Sequence, residues 1–357
     1  MIGENTMENT MEFLIKNIES TLNYKLSLSN LELYHSNLLE DILSKHIHQP
    51  FSLLQDVVGN YENYHIINVE REKRRKDITV TLNNNEETIV VIIENKFKSL
   101  PDREQLEKYK EATDKTYYIL LSLVEPEDNV LPPGWVRKSY LDLAEYINSI
   151  IKITNIDFYK GFLDDYCKYI NSISKLISCN ELDLKVENYY LDKTISEKLS
   201  QIGLIDLVSN LRAQQMKNKV KIKGTTTYAN RVRGGWHFGC EYLINEQLSV
   251  EIQVEGKQYR QKINCKKSIG MSFEELTESC MDLKKRGVLF NFDKAEFLRL
   301  RDKVVWNKYE TNDRIDIYYY QTINNNVAFN FLLAYIKKDM KNIILNADLI
   351  KESIITK

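Results

Sequence analysis

The stretch from Asp77 to Lys96 constrains this chain more than any other. Ile89-Val90-Val91-Ile92-Ile93 is an unbroken apolar run that ends directly on Glu94-Asn95-Lys96. A short apolar run of this kind reads as a buried strand. Such a strand seldom ends on a carboxylate and an ammonium unless both point into a polar site. Side chains alternate across a strand, so Glu94 and Lys96 share a face and Asn95 turns away. Upstream, Asp77 opens a second strand-like run, Ile78-Thr79-Val80-Thr81-Leu82. Asn83-Asn84-Asn85 separates the two with turn-forming residues, and the pair reads as a hairpin. Hairpin pairing brings Asp77, at the start of one strand, close to Glu94, at the end of the other. Two carboxylates and a lysine gathered there suggest a divalent-metal site with a basic partner.

The rest of the chain bounds what such a site can belong to. With 357 residues, two domains are expected at roughly 100–200 residues each. Hydrophobic residues at 43% and charged residues at 28% suit a soluble globular protein. A formal net charge of −2 excludes a chain that is basic throughout, so any nucleic-acid surface must be local. Cys167, Cys179, Cys240, Cys265 and Cys280 show no zinc-site spacing and read as reduced, mostly buried thiols. The start of the chain has no signal-peptide pattern, and no run of about 18 apolar residues occurs. The expectation is a cytoplasmic protein without a membrane span.

Before the hairpin, residues 11–28 carry helical periodicity, and a second helix is expected to begin at Ser29 or Asn30, either a good N-cap. On that helix Glu32, His35, Ser36 and Leu39 recur at helical spacing and share one face. Mixing polar groups with leucine there is unusual for a simple amphipathic helix. His46 and His48 would diverge on a helix and have no third ligand nearby, so they read as loop residues. Residues 51–58 suit a short helix and 64–70 a strand. Arg71, Lys73, Arg74, Arg75 and Lys76, interrupted only by Glu72, then lead directly into Asp77. A solvated turn would account for the charge. The position before Asp77 makes a phosphate-contacting loop the better reading.

After Lys96, Pro101 suits the first turn of a helix, on which Gln105 and Tyr109 share a face. Residues 116–124 form a third apolar strand, parallel to the Glu94 strand across the intervening helix. Helices at 141–151 and 157–177 close an α/β/α unit, giving a first domain over 1–178. The remainder, 179–357, reads as a second α+β domain. A helix over 194–218 is followed by strand-like runs at 219–228, 236–244, 247–255 and 257–265. A helix at 272–285, a strand near 313–321 and a helix over 326–340 complete it. Tyr228, Arg231, Arg233, Trp236, His237 and Phe238 mix aromatic and basic residues that could stack on bases. Sheet-core aromatics beside surface arginines explain that mix equally well.

These residues resemble the PD-(D/E)XK nuclease superfamily, which has the restriction-endonuclease-like fold. The likeness is to its bacterial branch with a Glu-x-x-His-Ser helix, an Asp-opened strand, Ile-Glu-Asn-Lys and Gln-Leu-x-x-Tyr. This chain supplies Glu32-Leu33-Tyr34-His35-Ser36, Glu70, Lys76-Asp77-Ile78, Ile93-Glu94-Asn95-Lys96 and Gln105-Leu106-Glu107-Lys108-Tyr109, in that order. A lone Asp…Glu-x-Lys would be a weak signal; all of these elements in order make a strong one. The resemblance covers residues 29–150 and says little about 180–357. One departure is Lys76, which stands where the superfamily's nominal Pro precedes the Asp.

The resemblance implies an α/β/α core with a mixed sheet and a Mg²⁺-dependent DNA endonuclease, Mn²⁺ being an alternative ion, with a role in restriction or phage defence. Hard Mg²⁺ prefers oxygen ligands. The resemblance assigns it Asp77, Glu94 and the Asn95 backbone carbonyl, with Glu32 reaching it directly or through water. Lys96 would position or deprotonate the attacking water and offset developing charge. Gln105 would orient Lys96 or the nucleophile. Tyr109 is expected to support packing or contact phosphate, alongside the basic loop of Arg71, Lys73, Arg74, Arg75 and Lys76. Two other readings stay open: a non-catalytic nucleic-acid-binding relative, and an interaction module whose C-terminal half recruits a protein partner. Cutting both strands would call for a homodimer, since each chain offers one site.

Overall fold

The structure is a computed structural model, and it describes residues 11–27, 33–72, 76–109, 115–126, 130–178, 193–232, 235–292, 298–299, 305–324 and 327–355. Contacts divide the chain into two units, one comprising the described residues of 1–179 and 198–207, the other those of 180–197 and 208–357.

The first unit begins with three helices, α1 (Met11–Ser20), α2 (Leu22–Ser27) and α3 (Leu33–Lys45). Five strands follow: β1 (His65–Arg71), β2 (Ile78–Asn83), β3 (Thr88–Lys96), β4 (Thr116–Ser122) and β5 (Trp135–Ser139). A short helix, α4 (Arg103–Glu107), connects β3 to β4. Two long helices, α5 (Tyr140–Ile153) and α6 (Asp157–Ser178), come after β5. The sheet runs β1-β2-β3-β4-β5, antiparallel across the first three strands and parallel from β3 onwards. It is therefore a mixed sheet within an α/β unit, the architecture expected for the restriction-endonuclease-like fold.

Several local predictions shift. Residues 51–58 contain only a 3₁₀ turn at Ser52–Leu54, because the chain takes a left-handed conformation at Asp56 (φ 67°). Pro101 precedes the helix, since the Asp102 carboxylate caps α4 by accepting from the Glu104 N–H at 2.9 Å. Trp135–Ser139 adds a fifth strand that sequence periodicity did not reveal. Five residues are too few to display a period, and the strand is recognised by its pairing with β4. Ser139 then starts α5 with a capping box closed by Asp142.

The helix expected over 194–218 is two helices, α7 (Lys193–Gln201) and α8 (Ile205–Lys219). Gly203 separates them at φ 70°. Leu204 N donates to Leu199 O at 2.9 Å and Gly203 N to Ser200 O at 3.0 Å, the paired bonds of a Schellman stop. Leu199 and Leu204 are both buried, which supplies the apolar contact that accompanies it. Lys98, buried after β3, donates to Ile202 O at 2.9 Å, and burial lowers its pKa to about 8.

The second unit is built on an antiparallel sheet. Its strands are β6 (Thr225–Val232), β7 (Gly235–Asn245), β8 (Leu248–Glu255), β9 (Gln258–Lys266), β10 (Leu298–Arg299), β11 (Asn307–Glu310) and β12 (Arg314–Ile323). Their order is β10-β12-β9-β8-β7-β6, with β11 also on β12. Leu248, Val250, Ile252 and Val254 alternate onto a core face shared with apolar residues of α9 (Phe273–Lys285), α10 (Phe329–Leu345) and α11 (Ala347–Ile355). The other face of β8 carries Ser249, Glu251 and Gln253, which bond to neighbours on β6 and β9. Phe238 belongs to the core, while the Tyr228 hydroxyl donates to Glu251 and the backbone N–H of Trp236 to Ser209 Oγ. Arg233 and the Arg231 side chain lie outside the described residues, so the aromatic-basic cluster is represented here by its sheet-bound members. Cys167, Cys240, Cys265 and Cys280 are buried free thiols; Cys179 lies outside the described residues. Among the described residues no helix is long and apolar enough to cross a membrane.

Candidate active site

The register of β2 against β3 builds the site. Ile78 pairs with Ile93 and Thr79 with Ile92. Residues opposite one another across an antiparallel pair lie on the same face. Alternation from there puts Asp77, Thr79, Ile92, Glu94 and Lys96 on one face of the sheet. α4 lies over it, with Leu106 and Tyr109 packed against Ile92, Tyr118, Leu120 and Trp135. The apolar surroundings take Glu94 completely out of water, at 0% exposure.

Two groups converge on one oxygen of Glu94. Lys96 Nζ stands 2.7 Å from Oε1, and Gln105 Nε2 donates to the same atom at 2.6 Å. The second oxygen, Oε2, is buried with no hydrogen-bond partner. A buried carboxylate with an unmatched oxygen is costly. Burial first, and then the charge of Asp77, push the Glu94 carboxyl up to about 7, with Lys96 pulling in the opposite direction.

Asn95 faces the other side of the sheet. Its Nδ2 donates to Ser36 Oγ on α3 at 2.9 Å, and the Tyr140 hydroxyl, at the start of α5, donates to its Oδ1. Its backbone N–H donates to Asp77 Oδ2 at 2.8 Å. Beside Ser36, His35 Nδ1 lies 2.9 Å from the Tyr166 hydroxyl and its ring lies 3.6 Å from that of Phe97. Burial and then Lys98 hold the His35 pKa well below the usual imidazole range, so the ring is neutral.

The structure brings Asp77, Glu94, Lys96 and Gln105 together. Gln105 bears on Glu94, where the resemblance put it on Lys96 or the nucleophile, and it also donates to the Tyr109 hydroxyl at 3.0 Å. Tyr109 is buried, its ring in the cluster under α4. Glu32, Lys73, Arg74 and Arg75 lie outside the described residues. At the ends of the basic run, Arg71 pairs with Glu72 at 3.0 Å and Lys76 is only 8% exposed. Glu70 sits on β1 opposite Thr79. Among the described residues no three His, Cys, Asp or Glu side chains gather as a metal cluster. Ser36 and Tyr140 were not assigned from sequence. Ser36 had a signal, as a polar residue sharing a helix face with Leu39; Tyr140 had none.

Residues 24–168 match the family model of the PD-(D/E)XK nuclease superfamily. That span holds α3, all five strands of the mixed sheet, and the site residues from Ser36 to Tyr140. The match lies within the first unit and leaves the second unmatched. No curated protein and no solved structure matches the chain.

Proposed function

We propose that this protein is a divalent-metal-dependent nuclease that cuts DNA internally. The observation that carries the reading is Glu94: Oε1 is held by Lys96 and Gln105, Oε2 is buried with no hydrogen-bond partner, and the charge of Asp77 bears on the carboxyl. Two carboxylates crowded together in low dielectric repel, and a cation between them relieves that repulsion. The donor set is all oxygen, which fits Mg²⁺, with Mn²⁺ as a substitute. Asp77, Glu94 and the Asn95 backbone carbonyl would hold the ion, joined by Glu32 as the resemblance implies. When bound, such an ion supplies a more acidic water and a positive centre for a phosphate oxygen.

The protein's own groups do the remainder. Gln105 fixes the Glu94 carboxylate so that its free oxygen keeps one direction. Lys96, already at 2.7 Å from Glu94, carries as an ammonium the charge that offsets a developing phosphorane, and its N–H donors orient the attacking water. Only its neutral amine form would take a proton from that water. The apolar cluster under α4 excludes bulk water and strengthens these interactions. The choice of DNA and a setting in restriction or phage defence rest on the family resemblance. Of the basic run, Lys73, Arg74 and Arg75 would meet the phosphate backbone as the resemblance implies. Lys76 is buried and Arg71 is paired with Glu72, so neither is offered as a phosphate contact. Double-strand cutting would need two chains.

The test is a cleavage panel of duplex DNA, single-stranded DNA and RNA with Mg²⁺, Mn²⁺ or EDTA. Metal-dependent cutting of DNA, abolished in Asp77→Ala, Glu94→Ala and Lys96→Ala, supports the reading. Undiminished cutting by Lys96→Ala would overturn the mechanism, and cutting confined to RNA would overturn the substrate.

A further inference from the structure

We propose that Asn95 is a positioning residue, and that Ser36 and Tyr140 act through it to set the metal-binding geometry of Asp77 and Glu94. This rests on the nuclease reading and adds to it a side chain that points away from the chemistry.

The row behind the site is apolar until it reaches Asn95. Val91 and Ile93 are fully buried on the same face, and Asn95, at 1% exposure, is the polar residue that continues them. An amide is costly to bury unless both its ends are bonded. Here both are: the NH₂ group donates to Ser36 Oγ, and the carbonyl accepts from the Tyr140 hydroxyl. Ser36 and Tyr140 are themselves buried and belong to α3 and α5, two different helices. The amide therefore ties two helices to one strand position.

That position controls all three charged groups. Its neighbours on β3 are Glu94 and Lys96, and its N–H holds Asp77 Oδ2 at 2.8 Å. A small rotation of the backbone at Asn95 would swing Glu94 and Lys96 on one face and release Asp77 from its donor. A leucine or isoleucine would fill the space without fixing that rotation, because dispersion contacts are not directional. The donor and acceptor of the amide fix it from two sides.

The test uses the full-length protein with Ser36→Ala and Tyr140→Phe, each removing one hydroxyl with little change of shape, and Asn95→Ala alongside. Circular dichroism and thermal melts establish that each variant is folded at the assay temperature. Mn²⁺ affinity is then read by calorimetry, without nucleic acid, and turnover is read separately from KM. The expected result is Mn²⁺ binding weakened about ten- to a hundredfold, as for partners that orient metal ligands. Turnover should fall in step while the KM for DNA is unchanged. Folded Ser36→Ala and Tyr140→Phe proteins that bind Mn²⁺ like the wild type would overturn the proposal, even if their melting temperatures drop. Should Asn95→Ala fail to fold, the two hydroxyl deletions decide the matter. Wild-type protein that binds Mn²⁺ but cuts no nucleic acid overturns the nuclease reading and leaves the positioning measurement intact. Wild-type protein that does not bind Mn²⁺ overturns both.

Discussion

The backbone N–H of Asn95 donates to the carboxylate of Asp77 at 2.8 Å, so the end of β3 and the bend that opens β2, which carry the two carboxylates of the candidate site, are joined there. One carboxylate is oriented by main chain, and the other, Glu94, by the side chains of Lys96 and Gln105. The difference separates the expected consequences of mutation.

Asp77→Asn keeps the shape and an acceptor for the Asn95 N–H but removes the charge. We expect cleavage to fall by at least about a hundredfold, the scale of losing one preorganised electrostatic group. Melting temperature should change little. Single-turnover assays with Mg²⁺, paired with DNA binding measured in Ca²⁺, check this; loss of DNA binding alone would contradict it.

Glu94 gives a pH signature to the metal-free protein. Its folded-state pKa, about 7, lies above the ordinary 4.5. Between those values the native state keeps a proton that the unfolded state has released. Its contribution to stability is therefore full below about 4.5 and is lost as the pH rises through about 7. Denaturant melts in EDTA across this range should show that decline, flattened in Glu94→Gln. Mn²⁺ affinity should move the other way and rise through the same interval, since the ion takes the deprotonated carboxylate.

Gln105→Ala removes the neutral donor to Glu94 Oε1 and leaves Lys96 in place. A hydrogen bond to a charged group contributes about 1.5–3 kcal/mol, so turnover should fall roughly ten- to a hundredfold. Rescue by Gln105→Asn would count against this, because the shorter side chain cannot span the same gap. Steady-state kinetics on the two variants settles it.

Gly203→Ala tests the fold away from the chemistry. The position is left-handed, at φ 70°, and terminates α7. Forcing a Cβ into that conformation costs about 1–2 kcal/mol, visible as a lower denaturation midpoint. Metal affinity should be unchanged.

Much of the first unit was legible in the sequence because its signals are local. The Ile89–Ile93 run, the Asn83–Asn85 break and the charged end at Glu94 and Lys96 each follow from period, propensity and solvation within a few residues. Strand alternation then places Glu94 and Lys96 together and Asn95 behind them. The fifth strand, Trp135–Ser139, was not legible because its identity lies in hydrogen bonds to β4 rather than in its own pattern. The second unit shows the same division. Its strand runs were visible, but the pairing of β12 beside β9 joins segments that lie far apart in the chain.

The sequence by itself determined the hairpin, the shared face of Glu94 and Lys96, the approach of Asp77 to Glu94, and the chemistry those residue types allow. It could do so because the period of a strand and the hardness of carboxylate oxygens are properties of the residues alone. Tertiary structure decided the rest: which oxygen of Glu94 Lys96 and Gln105 would occupy, which would be left bare, and that Ser36 and Tyr140 would meet on Asn95. Those outcomes depend on how separate helices pack against one strand. Packing is a three-dimensional condition on distant residues, and no local pattern encodes it.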